Sequence, residues 1–309
     1  FRQNPPPEFA RRLRASLREG YAGTAVRPTS KRFFTWASMA ASIAVVSVAF
    51  TLPSVRAGAQ AFLDLFRVAG FVGVSFDAER LRAMESFDLH RMIGDQVEVL
   101  QEPGSPQTFA SPEEAGAAAG IDLLEPAWVP VGWERAGIEV TGESAVRVQA
   151  NTAGLQALLD TFGIDDVAVP AALEGQSVTV RVPPVVRTTY RNGDREVHML
   201  QARSPEVTFP ADVELAALAE IGLRLLGLDR EEAARLAWTV DWRSTLLVPV
   251  PADAASFREV DVAGRKGLLI EPAEQAGFGV LMWATDERVF ALSGALWSPQ
   301  LLEMAQTAQ

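Results

Sequence analysis

Apolar positions follow three different rules along this chain. Over residues 33–55, FFTWASMAASIAVVSVAFTLPSV, they run without a charge. Over the next stretch, SVRAGAQAFLDLFRVAG, they recur at helical spacing, with Val55, Ala59, Phe62, Leu63 and Phe66 on one stripe. From residue 71 onward they mostly alternate with polar residues, the period of a half-buried strand. FVGVSF (71–76), QVEVLQ (96–101) and QSVTVRV (176–182) read as strands, and residues 133–141 and 144–150 as a pair joined through Thr141-Gly142-Glu143. VVRTTYRNGDREVHMLQ (185–201) reads as a hairpin turning at Asn192-Gly193. FREVDV, KGLLIE, GVLMWA and RVFALSG then form a meander over 257–294.

Between the strands lie helices with start and stop signals. Ser111, Pro112 and Glu114 open an alanine helix that ends at Gly120. Asn151 caps a helix stopped by Gly163, and a further helix ends at Gly227. Asp229 with Glu232 opens the next, and Ser298-Pro299 the last. DAERLRAMESFDLHRMIG (77–94) reads as a helical or broken segment, and residues 103–112 as a loop. Tight turns between interleaved strands and helices predict an α+β fold, a mostly antiparallel sheet with helices packed on it.

The uncharged run 33–55 is long enough for a bilayer span, which needs about 20 apolar residues. Two other readings compete, a buried helix and a signal segment cleaved after Ala57-Gly58-Ala59. The basic segment of more than thirty residues before the run argues against the signal. Charge gives the orientation. Residues 1–32 hold eight Arg and Lys against two Glu, a net +6, whereas the whole chain is −11, so the remainder carries −17. Basic flanks stay in the cytoplasm and long acidic domains cross readily. The expected organisation is a cytoplasmic basic arm (1–32), a transmembrane helix (33–55), a juxtamembrane helix (56–70) and an extracytoplasmic α+β domain (71–309). The chain opens at Phe1 without a methionine, so a longer cytoplasmic part upstream is allowed for.

Composition narrows the chemistry. Without cysteine there is no disulfide framework and no thiolate. The acidic balance outside argues against nucleic acid as a partner. The only histidines, His90 and His198, lie in separate segments, and no H-E-x-x-H, G-x-S-x-G, S-x-x-K or Walker loop occurs. Gly277-Phe278-Gly279 lacks the context of a dinucleotide loop, and Asp165-Asp166 reads as a solvated turn. The expectation is a protein that is not an enzyme, with no catalytic, cofactor-binding or metal residues and no cofactor. Two candidates for ligand contact stand out, Trp128 and Trp133 in EPAWVPVGWE; their first reading is as core, their second as a stacking platform.

EPAWVPVGWE resembles the entry of a domain of unknown function found outside the membrane in bacterial anti-sigma-factor-like proteins. GFGVLMWATDERVFALSGALWSPQLLEMAQT (277–307) is similar to that domain's close: a strand holding a Trp, a turn, a strand ending in Ser-Gly, then a helix. PPPEFARRLRASLRE and LPSVRAGAQAFLDLFRV resemble the membrane-proximal part of such proteins. The resemblance implies a single-pass signalling protein of the cell membrane. It would sense or bind a ligand or protein outside, touch membrane lipid, and report to a sigma factor inside. The His-and-Cys zinc motif of many anti-sigma factors is missing, so the sigma-binding part lies upstream of Phe1 or this is a sensor without it. A membrane-anchored carrier of lipid or peptide, without signalling, is the alternative.

Overall fold

The computed structural model describes residues 68–76, 97–210 and 213–308. The arm, the span, most of the juxtamembrane helix, residues 77–94 and His90 all lie outside the described residues. The juxtamembrane helix does not extend over 68–70, because Gly70 already opens a strand. Among the described residues no helix is long and apolar enough to cross a membrane.

The strands are β1 (Gly70–Phe76), β2 (Val97–Gln101), β3 (Gln107–Phe109), β4 (Glu134–Thr141), β5 (Ser144–Gln149), β6 (Ser177–Val182) and β7 (Val185–Asn192). There follow β8 (Arg195–Arg203), β9 (Glu206–Thr208), β10 (Thr245–Pro251), β11 (Ala255–Val262), β12 (Arg265–Pro272), β13 (Gly279–Ala284) and β14 (Arg288–Gly294). The α-helices are α1 (Pro112–Ala119), α2 (Thr152–Thr161), α3 (Leu215–Leu225), α4 (Arg230–Thr239) and α5 (Ser298–Gln306). The fold is α+β and mostly antiparallel, as the alternation predicts.

An eight-stranded antiparallel sheet has the order β11-β12-β13-β14-β8-β7-β4-β3. One of its faces is the main core. Alternate residues Val197 and Met199, Phe290 and Leu292, and Leu281 and Trp283 pack there against Leu301, Met304 and Ala305 of α5. Trp283 stacks on Phe290, the ring centroids 5.1 Å apart. Farther along, α1 covers Ile138, Val140 and Val186 with Ala115 and Ala119.

The opposite face, at its β11–β13 end, meets a two-stranded parallel pair, β1 with β10, whose register runs Gly70↔Thr245 to Phe76↔Pro251. Phe71, Val248 and Val250 pack onto Phe257, Leu268 and Met282. The other side of the pair carries α3 and α4, with Val74 and Leu247 against Leu223, Ala233 and Ala237. Parallel strands are found buried on both faces, and this pair is a middle layer. The helices therefore do not all lie on the large sheet: α3 and α4 cover the pair, and α2 packs on α3 through Leu158, Leu159, Ile221 and Leu225.

Three expectations need correction. Strands β4 and β5 form, but not as a pair. β4 joins β3 and β7 in the large sheet, whereas β5 joins β2 and β6 in a four-stranded antiparallel sheet ordered β2-β5-β6-β9. The chain changes sheet at Gly142, whose N–H donates to Pro103 O at 3.2 Å. A Cβ there would sit 2.6 Å from that oxygen, so glycine permits the crossing. The expected loop 103–112 contains β3. The hairpin β7–β8 turns through Gly193-Asp194, one residue later than expected, since Asn192 pairs with Arg195.

Candidate functional site

Three of the helix starts expected from the sequence are built as capping chemistry requires. Ser111 Oγ accepts from Glu114 N at 3.2 Å, Asn151 Oδ1 from Gly154 N at 2.8 Å and Asp229 Oδ1 from Glu232 N at 2.8 Å. The end of α1 matters most. Gly120 takes the left-handed conformation, φ 66°, and the N–H of Ile121 returns to Gly116 O at 3.0 Å. The chain then crosses the sheet as a loop, residues 120–125.

Three side chains on one sheet face hold that loop. Gln201, 1% exposed, accepts from Leu124 N at 2.9 Å and donates to Leu124 O at 2.8 Å. Two residues along β8, Arg203 donates through Nη2 to Gly120 O. Its cross-strand partner on β14, Arg288, donates through Nη1 to Asp122 O. A Cβ on Gly120 would approach Arg203 Nη2 to 3.2 Å, so the left-handed glycine also makes room for the guanidinium.

Beside this latch lies a cleft of ≈ 1380 Å³. Its walls are α1 with its trailing loop, the Pro183-Pro184 link between β6 and β7, residues Arg203–Glu206, and the β13–β14 turn at Glu287 and Arg288. Arg181 pairs with Glu143 at 2.5 Å and lies 3.8 Å from Glu206. By contrast, neither Arg203 nor Arg288 has a carboxylate within 4.0 Å among the described residues; each donates only to a backbone carbonyl. Ser204, on the rim, accepts from Val68 N at 2.6 Å, and Val68 is fully buried. The cleft offers charged donors and acceptors, and its volume exceeds a typical small-ligand pocket of about 300–1,000 Å³.

The two tryptophans lie elsewhere. Trp133, 8% exposed, belongs to the main core beside Tyr190 and Val197, with the Arg195 guanidinium 5.6 Å from its ring centroid. Burial pushes the Tyr190 hydroxyl up to about 12. Trp128 packs against the same core, its backbone N–H donating to Thr307 Oγ1 at 3.2 Å, while Pro126 bridges Ala308. EPAWVPVGWE thus straps the end of α5, which places both rings in the scaffold and neither in the cleft.

His198 sits on the sheet face away from the cleft. Its Nδ1 lies 3.1 Å from Thr189 Oγ1 and its Nε2 3.8 Å from Glu196. Burial, aided by Arg187, holds its pKa below the usual value; Glu196 and Glu139 pull the other way and lose. The imidazole is therefore neutral at neutral pH, and the Glu196 contact is then not an ion pair. Asp165 and Asp166 lie exposed at a bend, as expected of a solvated turn, and Asp166 also makes ion pairs there. Its side chain, 20% exposed, binds Arg224 at 2.7 Å and Arg230 at 3.4 Å, tying the segment after α2 to α3 and α4. Among the described residues no group of three His, Cys, Asp or Glu could hold a metal ion.

No family model, curated protein or solved structure matches the chain.

Proposed function

We propose that this chain is a single-pass membrane regulator of the anti-sigma type. Residues 33–55 are its span, residues 1–32 face the cytoplasm, and the domain from residue 71 binds or senses a ligand outside. The uncharged run and the opposed charges of its two flanks support the topology. One observation carries the sensing role: the hydrogen bond from Val68 N to Ser204 Oγ. Ser204 belongs to the cleft wall, and Val68 is where the chain enters the domain from the membrane side. An occupant of the cleft that prefers one arrangement of Arg203–Glu206 biases the entry segment with it. The size of that bias is the ligand's difference in affinity for the two states.

The test uses full-length protein in cells. External protease should remove the domain and leave the arm protected. Affinity capture of the full-length protein should recover a sigma factor from the cytoplasmic side in a salt-sensitive complex, because arginines dominate the arm. Ser204→Ala should keep that complex but weaken its response to conditions outside. A full-length protein that recovers no cytoplasmic partner ends the regulator reading.

A second reading, a carrier of lipid or peptide, is favoured by β2. All five residues of this edge strand are exposed, Val97 at 40%, Val99 at 56% and Leu100 at 38%. Lipid or peptide co-purifying with the domain, with no cytoplasmic partner, would select it.

A further inference from the structure

Arg203 and Arg288 are paired directly across β8 and β14. Directly opposed side chains stand about 4.5–5.5 Å apart at Cβ, and like charges there destabilise a sheet. A simple surface would place a carboxylate between them. Acids are close in sequence, Glu206 three residues after one arginine and Glu287 beside the other, yet none comes within 4.0 Å of either guanidinium among the described residues. The loop carbonyls of Gly120 and Asp122 take one donor from each. An arginine carries five N–H donors in a planar fork, so most of the pair's donors are left for something else. Two adjacent forks facing one cleft match a planar oxyanion, held by both at once.

The rest of the lining limits what carries that oxyanion. Glu113, Asp122 and Glu287 line the cleft without an ion-pair partner among the described residues. A small free anion meets their repulsion, whereas an oxyanion joined to cationic groups finds a counter-charge for each. The walls are proline, alanine and charged side chains, with Ile121 and Leu123 as the large apolar residues. Such a lining gives an acyl chain little to gain. We propose that the cleft binds the C-terminus of a basic, extended peptide, its terminal carboxylate gripped between Arg203 and Arg288 and its cationic side chains facing the acidic wall. This rests on the domain being a ligand-binding module, and it names that ligand's class.

The experiment uses the full-length chain reconstituted in phosphatidylcholine nanodiscs, free of detergent. The probes are N-acetyl-Ala-Lys-Lys-Ala with a free carboxylate, the same peptide amidated at its C-terminus, inorganic phosphate, and phosphatidylethanolamine vesicles. Calorimetry should find the free acid bound about tenfold more tightly than the amide, as loss of charge-assisted hydrogen bonds predicts. Arg288→Gln should bring the two within about twofold of each other. A readout on unaltered protein guards against misfolding of that variant. The free acid should shield Arg203 and Arg288 from phenylglyoxal, read by mass spectrometry, and the amide should not. Equal binding of acid and amide, or no protection, overturns the proposal. Protection by phosphate or vesicles but not by the peptide overturns the peptide assignment. None of these readouts involves a sigma factor, so a peptide site can stand where the regulator reading fails, and the reverse.

Discussion

At the scale of single residues, two side chains depart from what their surroundings would choose. His198 is held neutral by burial and by Arg187, against Glu196 and Glu139, with Thr189 at its Nδ1. Its pKa in the folded chain lies below 6.5, so on acidification the unfolded chain takes up the proton first. The stability it contributes is complete above about pH 6.5 and is lost as pH falls through the lowered value. The midpoint of thermal unfolding, wild type minus His198→Gln, should therefore decrease from neutral to mildly acidic pH. A difference that stays flat would show that the imidazole titrates alike in both states. Ala263 is the other case. It is the only non-glycine with positive φ among the described residues, 52°, followed by Gly264 at 81° in the two-residue loop between Val262 and Arg265. Two positive values in such a loop make a type I′ turn, which favours Asn-Gly. An L-residue other than Asn, Asp or Gly pays about 1–2 kcal/mol there. Ala263→Asn should stabilise the protein by about 1 kcal/mol and raise the melting midpoint by about 2–4 °C, seen by circular dichroism.

At the scale of elements, the loop after α1 depends on the sheet beneath it. Gln201→Leu would keep the volume but leave the N–H and C=O of Leu124 unpaired, at about 1–3 kcal/mol for each unsatisfied group. Hydrogen exchange at Leu124 should accelerate with the loss of stability; an unchanged amide would mean that the loop is held by its arginines alone. Trp133→Ala should cost about 3–5 kcal/mol by chemical denaturation, because a buried ring leaves a cavity. A near-neutral result would return the ring to the ligand-platform reading. These elements also show what the sequence could and could not tell. The helix starts at Ser111, Asn151 and Asp229 were legible because capping is decided within four residues. The separation of β4 from β5 was not, since Thr141-Gly142-Glu143 looks like a hairpin turn and the decisive contact, Gly142 with Pro103, is remote from it. The ion pairs of the exposed Asp166 are illegible for the same reason, its arginines lying on α3 and α4. The candidate site was the least legible part. Trp128 and Trp133 drew attention as aromatics, whereas Arg203 and Arg288 are unremarkable in sequence and become a pair only through the register of β14 on β8.

At the scale of the whole molecule, the first described strand closes the fold. β1 pairs with β10, its partner from Gly70↔Thr245 onward, and no other strand is hydrogen-bonded to β10 among the described residues. The pair separates the large sheet from α3 and α4, so β1 supplies part of two clusters: Phe71 toward Phe257 and Leu268, Val74 toward Leu223 and Ala237. Val68, Val74 and Phe76 are all buried. Burying each such side chain contributes about 1.5–3 kcal/mol, and together they approach the total of about 5–15 kcal/mol that keeps a domain folded. Losing β1 also strips β10 of its partner and leaves α3 and α4 without a floor. A chain beginning at residue 68 should therefore melt in one cooperative transition. A chain beginning at residue 97, which keeps the eight-stranded sheet and the five described α-helices, should not; it should bind a hydrophobic dye and lose near-ultraviolet dichroism, the signs of lost packing. The comparison also tests the proposed sensing role. If β1 is part of the core, the chain entering at Val68 cannot move independently of Ser204 and the cleft wall. The bond from Val68 to Ser204 then offers a physical link between the two ends, which the proposed sensor requires and a passive tether does not. Cooperative melting of the shorter chain at the same midpoint would detach β1 from the core and remove that path.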